Sequence, residues 1–282
     1  MKHSGRFDKV RVAGVILLLL GIGFVIFHKY PKDWPYNVLI NNYYANVSVE
    51  LISIAITVLI IDYMYDKKQR NENKLKLIRD LGSSDRGFSA RALKELKVNG
   101  WLTDGSLILA DLSNANLSGL DLTGAVLSQA NMESCDLSHT TLKNVNFDGA
   151  KLNGSKMQGS NLEGSSFIKV ELKKCNFNKA RLNNVNIIEC DFVNSDFELA
   201  KLVGASIVDS RFEDASLQFA DLERVVVMNC VFTRVDLQST NVENSKFERC
   251  DIASVINWET MVNFESAQFV GPVNPPSGFK YK

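Results

Sequence analysis

Ala110-Asp111-Leu112-Ser113-Asn114 runs directly into Ala115-Asn116-Leu117-Ser118-Gly119, and the pattern of these ten residues decides the fold. The third residue of each five is apolar, and it stays apolar at thirty consecutive positions from Leu107 to Ile252. Two residues earlier the side chain is small, from Ala110 and Ala115 through Ser245 to Cys250; only Gly105 and Leu120 leave the Ala/Ser/Thr/Cys/Val set. A period of five fits neither the 3.6 of an α-helix nor the 2.0 of a strand, so the stretch reads as a solenoid.

The motif A(D/N)LxX over half the chain resembles the pentapeptide-repeat family. The resemblance implies an all-β solenoid, a right-handed quadrilateral β-helix with four repeats per coil. Its large and small positions point inward and the other three face solvent. Thirty repeats then make about seven and a half coils, roughly 36 Å long at a 4.8 Å stacking distance. The large residues form ladders, Phe192-Phe212-Phe232 on one wall and Leu122 to Leu222 on another. The other inward position has little room, so Leu120 is expected to be strained there. A filled core leaves no cofactor site and no pocket for a small-molecule substrate.

Function is then expected on the outside. Counting in twenties puts Ile168, Ile188, Val208 and Met228 in one outward slot on four successive coils, with Val226 beside them, and stacks Leu199 and Phe219 on a corner. A contiguous exposed apolar stripe marks an interface. It could also be covered by the chain's own C-terminal segment or a linker helix. Both readings stay open at this level.

The net charge of zero hides two opposite halves. Residues 1–100 carry 16 Lys/Arg against 9 Asp/Glu, giving +7; residues 101–282 carry 16 against 23, giving −7. The basic half holds two apolar runs. Val12–Phe27 has no charge, and Arg11 and Lys29 are placed to snorkel to headgroups. Ala45–Tyr65 is long enough to span a bilayer. Between them Lys29–Tyr44 carries Pro31, Trp34, Pro35, Tyr36, Tyr43 and Tyr44, as a re-entrant loop would. No small-x-small cleavage site follows the first run, which favours an anchor over a signal peptide. Cations cluster before the first span and after the second, so the positive-inside rule places both termini in the cytoplasm of an inner-membrane protein. Glu50, inside the second span, is an intramembrane carboxylate within reach of the headgroups.

The expected domains are a two-helix hairpin over 1–65 (spans about 12–29 and 45–65), a charged helical linker and cap over 66–103, the β-helix over 104–256, and a C-terminal cap and flexible tail over 257–282. In the cap, Gly82-Ser83-Ser84-Asp85 offers N-cap residues for a helix, Phe88, Ala92, Leu93 and Leu96 share a face, Asn99-Gly100 is the stop, and Trp101 helps cover the open coil. The stretch 77–107 also resembles the cap of membrane-anchored bacterial members of the family. After Ile252 the register fails at Asn257 and resumes two residues out of phase, with Trp258 and Met261 as plugs.

All five cysteines occupy the small position, as small hydrophobes do. Cys230 and Cys250, twenty apart, would stack on neighbouring coils, where an oxidising compartment could join them. His3, His28 and His139 lack metal-ligand or triad neighbours, and Asp111, Asp121, Asp136, Asp191 and Asp196 sit at turn positions of the repeat. These features point to a non-enzyme: a scaffold tethered to the lipid bilayer that binds a protein partner or another copy of itself. The alternatives are DNA mimicry, as in family members that protect topoisomerases from quinolones, and a transport or channel component. Charges of both signs on every wall disfavour a nucleic-acid role.

Overall fold

The computed structural model describes residues 4–28 and 37–279. These divide into two compact units, Met1–Asn73 and Lys74–Lys282. The loop residues Pro31, Trp34, Pro35 and Tyr36, and His3, lie outside the described residues.

The first unit holds α1 (Ser4–His28) and most of α2 (Asn37–Leu81). The second helix starts well before residue 45, so Tyr43 and Tyr44 are helical rather than part of the loop; no Pro or Gly interrupts the chain between Pro35 and Gly82. The two helices run antiparallel, since Gly14 lies against Leu59 and Gly21 against Ile52 and Ser48. Seven residues separate Gly14 from Gly21, and the same interval separates the buried Ser48, Ala55 and Asp62. This is the spacing of a helix–helix seam, and small residues on it let the backbones approach. A Cβ at position 21 would come within 2.7 Å of Ile52 Cγ1.

The second unit opens with the end of α2, then α3 (Arg86–Val98). The Asp85 side chain caps α3 by accepting from Gly87 N and Phe88 N. The helix closes with Gly100 at φ +72°, Gly100 N donating to Lys97 O and Trp101 N to Leu96 O, which is a Schellman stop. Leu77, Leu81, Ala92, Leu93, Leu96 and Trp101 are buried over the first coil. Phe88 is not among them: it is 54% exposed, and Ser89 takes the inner place, its hydroxyl donating to Ser83 O. Leu75 also faces outward.

Below the cap the coils take twenty residues each until the lower end of the rod. Parallel bridges join Asp111 to Asn131, Asn116 to Asp136, Asp121 to Thr141 and Val126 to Asn146, one on each wall, and the same step recurs down the rod. On one wall the pairing becomes a regular six-stranded parallel sheet, β1 (Ser166–Ile168), β2 (Asn186–Ile188), β3 (Ser206–Val208), β4 (Val226–Met228), β5 (Lys246–Glu248) and β6 (Gln268–Val270), spanning five coil-to-coil steps.

The interior follows the spacing. Phe192, Phe212 and Phe232 stack at 4.8 and 5.1 Å between ring centroids, and Phe177 stacks on Phe197 at 4.6 Å on the neighbouring wall. Where the small position is Ser, Thr or Cys, its polar hydrogen reaches a backbone carbonyl, either of the coil above (Thr140 to Leu117 O, Ser165 to Leu142 O, Ser195 to Leu172 O, Cys190 to Phe167 O) or of its own coil (Ser160 to Met157 O, Ser245 to Val242 O). These side chains thus fit a slot no wider than Ala needs and stay hydrogen-bonded. All five cysteines are buried free thiols, Cys230 and Cys250 included. Burial pushes Cys135, Cys190 and Cys230 up to about 12 and Cys175 and Cys250 to about 11. Leu120 escapes the tight slot by standing half-buried, and its backbone pairing is kept.

At the lower end Asn241 pairs with Val262 and Phe247 with Phe269, steps of 21 and 22 instead of 20. Two extra residues enter at the corners, beside short 3-10 turns at Trp258–Thr260 and Phe264–Ser266. The coil therefore continues past residue 256 to Val273, which pairs with Asp251. The segment beyond it is not a free tail, because Phe279 is buried against Trp258, Phe264 and Phe269. The core above that plug has a void of about 20 Å³, wholly apolar and too small for a ligand.

Candidate interaction surface

Each repeat turns its corner in the same way. The second residue after every large inward position has positive φ, from Leu109 to Ser254. Gly fills this place seven times between Gly119 and Gly204 at no steric cost, and Asn fills six more. The Asx residue before the large one braces the turn: Ser113, Thr123, Ser138, Val193 and Glu198 donate backbone N–H to the carboxylates of Asp111, Asp121, Asp136, Asp191 and Asp196. Those aspartates are committed to turn geometry.

Against that background two surface features break the rule. The first is the β-wall. Ile168, Ile188, Val208 and Met228 stand in register on β1 to β4, half-buried by one another, with Val226 more exposed beside them. Polar groups bound the row. Above it, the Asp148 carboxylate accepts from Ser166 Oγ and Ile168 N; below it, Glu248 pairs with Lys246 at 2.9 Å. The C-terminal segment extends this wall edge-on as β6 instead of lying across it.

The second feature is the corner holding Leu199 and Phe219, 40% and 45% exposed at φ +59° and +58°. Bulky side chains in the left-handed region are uncommon and cost stability there, and neither is repaid by burial. This corner lies half a coil from the stripe, so the two features face different directions and cannot meet one flat partner.

Charges on the rod are tied up coil to coil: Lys143–Glu163 at 2.8 Å, Lys169–Glu189 at 3.6 Å and Arg234–Asp214 at 2.6 Å each join residues twenty apart. At the cap, Lys97 bonds Asp121 at 2.7 Å; that bond, with a second from Thr123, pulls the Asp121 carboxyl down to about 2. Among the described residues, no three His, Cys, Asp or Glu side chains come together as metal ligands.

In the hairpin unit Glu50 is exposed on the outer side of α2. The buried acid there is Asp62, whose carboxylate accepts from Arg11 Nε at 2.8 Å, while Arg11 also bonds Asp66. Arg11 therefore closes the seam instead of standing apart from the hairpin. Sequence reasoning passes over Asp62 because it sits next to a run of charges; its place seven residues after Ala55 and fourteen after Ser48 is the signal. The remaining hairpin surface is apolar: Val12, Leu19, Ile26, Val49, Ile56 and Ile61 are all about half or more exposed. By length and composition Asn46–Leu81 includes a stretch able to cross a membrane, and Val10–Gly23 is a shorter apolar stretch.

A family model described as a pentapeptide repeat region matches residues 101–177, and one for pentapeptide repeats (8 copies) matches 180–218 and 210–249. No curated protein sequence gives a significant match. Among solved structures the chain is similar to HetL, a pentapeptide repeat protein involved in heterocyst differentiation regulation from the cyanobacterium Nostoc sp. strain PCC 7120. Identity is 15%, over 65% of this chain and 92% of that one, with a TM-score of 0.30. It is also similar to a trypsin-treated form of QnrB1, a plasmid-mediated fluoroquinolone resistance protein (17% identity, 56% and 78% coverage, TM-score 0.43). A pentapeptide repeat protein from the Arabidopsis thaliana thylakoid lumen gives 20% identity, 57% and 83% coverage and a TM-score of 0.17.

Proposed function

The chain belongs to the pentapeptide repeat family, and on that premise we propose that it is a membrane-anchored interaction scaffold. Members of this family are generally non-catalytic structural or interaction proteins. In this reading the hairpin crosses the inner membrane twice, both termini are cytoplasmic, and the rod presents its β-wall to a protein partner or to another copy. The reading is supported above all by a reversal of polarity: the hairpin turns many of its Leu, Ile and Val outward, whereas the rod buries its large ladder residues and sets Ile168, Ile188, Val208 and Met228 in one outward row. A surface that is apolar all round suits lipid; one apolar row on a polar wall suits a protein.

Two treatments test it. Alkaline carbonate should leave the full chain in the membrane pellet. Ile188→Glu with Met228→Glu should change oligomer size or remove cross-linked partners; unchanged products would reject the stripe. DNA mimicry predicts inhibition of gyrase supercoiling. The coil-to-coil ion pairs weigh against it, because they leave no continuous acidic strip. A channel would need flux that depends on Glu50.

A further inference from the structure

The cap carries a basic, partly apolar helix face that the fold does not use. Residues 74–100 hold 7 Lys/Arg against 3 Asp/Glu, while residues 101–282 hold 16 against 23, so the positive charge of this unit is concentrated in its cap. Three of the cations are tied to the start of the rod: Lys74 Nζ donates to Ser106 Oγ at 2.9 Å, Arg86 Nε to Ser118 O at 2.6 Å, and Lys97 bonds Asp121. Arg91 and Lys94 point outward and have no ion pair with a described residue. With Ser89, Ala92, Leu93 and Leu96 turned inward, helical spacing puts Phe88, Arg91, Lys94, Glu95 and Val98 on one arc of roughly 120°. Phe88 is 54% and Val98 82% exposed, and the two flank the cations. Exposed apolar ends around a basic centre are what an anionic lipid surface receives: the cations meet headgroup phosphates and the apolar groups enter the headgroup boundary.

We infer that this face of α3 docks on an anionic phospholipid surface. The inference rests on the membrane reading above, and charge complementarity selects the occupant: Arg91 and Lys94 stand exposed beside Phe88 and Val98, with Glu95 the one acid on the arc.

The test uses the full chain with Asn99→Cys, at the exposed C-terminal end of α3, labelled with an environment-sensitive fluorophore; the native thiols are buried and do not compete. It is reconstituted into phosphatidylcholine vesicles with and without phosphatidylglycerol, each containing brominated lipid as quencher. Quenching should be roughly two-fold stronger with phosphatidylglycerol. It should fall to the phosphatidylcholine level in high salt, in Arg91→Gln/Lys94→Gln and in Phe88→Glu/Val98→Glu. Equal quenching in both vesicles from a protein that incorporates overturns this inference alone. Failure to incorporate into either vesicle overturns the membrane reading with it. A probe shielded by a protein partner but insensitive to brominated lipid also overturns it.

Discussion

The hairpin and the rod both depend on small residues at a fixed interval, and they use them to opposite ends. In the rod, Ala, Ser, Thr and Cys recur every five residues so that large apolar side chains can fill the inside. In the hairpin, Gly14 and Gly21 on α1 and the buried Ser48, Ala55 and Asp62 on α2 each recur at an interval of seven, and many large apolar side chains go outside. On the proposed membrane reading the rod is built for water and the hairpin for lipid, where close approach and the part-buried Arg11–Asp62 pair hold the helices together. The period of the small residue therefore reports backbone geometry, and the position of the large one reports the solvent.

The comparison breaks most severely where a large interior residue is lost. Phe212, stacked on both Phe192 and Phe232, should cost the rod about 3–5 kcal/mol as Phe212→Ala, read from denaturant unfolding. Next is the small position itself. Ala200→Leu should cost about 1–3 kcal/mol, because the slot cannot widen without moving two coils. Gly21→Leu is the hairpin's equivalent, and cross-linking between Gly14→Cys and Leu59→Cys should drop several-fold while rod unfolding stays unchanged. A smaller effect of opposite sign is expected at the corner: Leu199→Asn should stabilise the rod by roughly 0.5 kcal/mol, since Asn tolerates the left-handed region. A gain in stability there with a loss of partner binding would mark Leu199 as kept for contact.

The smallest effect is the pH response of the cap. Asp121 is held at about 2, below its ordinary 3.8, by Lys97 first and then Thr123. A depressed carboxylate stabilises the fold above about pH 4, and that contribution is lost as pH falls toward 2. The difference in melting temperature between wild type and Lys97→Met should therefore shrink from pH 5 to pH 2.5. A constant difference would mean that Lys97 acts by side-chain packing alone.

The rod was legible because its constraint is local: each inward residue is fixed by neighbours two and five positions away, and thirty copies average out exceptions. Phe192, Phe212 and Phe232 could be stacked on paper, and so could the outward row from Ile168 to Met228. What escaped depends on distant partners or on single turns. Arg11 and Asp62 are 51 residues apart and meet only when two helices pair. Phe88 looked inward by spacing until the Ser89 hydroxyl, with a carbonyl to satisfy, took that side. The two-residue phase shift after Asn257 was legible, but that the coil itself runs on to Val273 was not, because the inserted residues are absorbed at corners. The positive φ at every corner was masked by Lys, Glu and Arg standing in the place Gly and Asn explain.

The central claim is that the outward apolar face of the hairpin meets lipid while the walls of the rod meet water. Membrane-impermeant maleimide applied to unsealed vesicles carrying the full chain tests it directly, with single cysteines at Leu19, Ile60 and, on a rod wall, Lys201, all exposed in the structure. The account predicts rapid labelling of Lys201→Cys and negligible labelling of Leu19→Cys and Ile60→Cys. Labelling of all three at similar rates would contradict it.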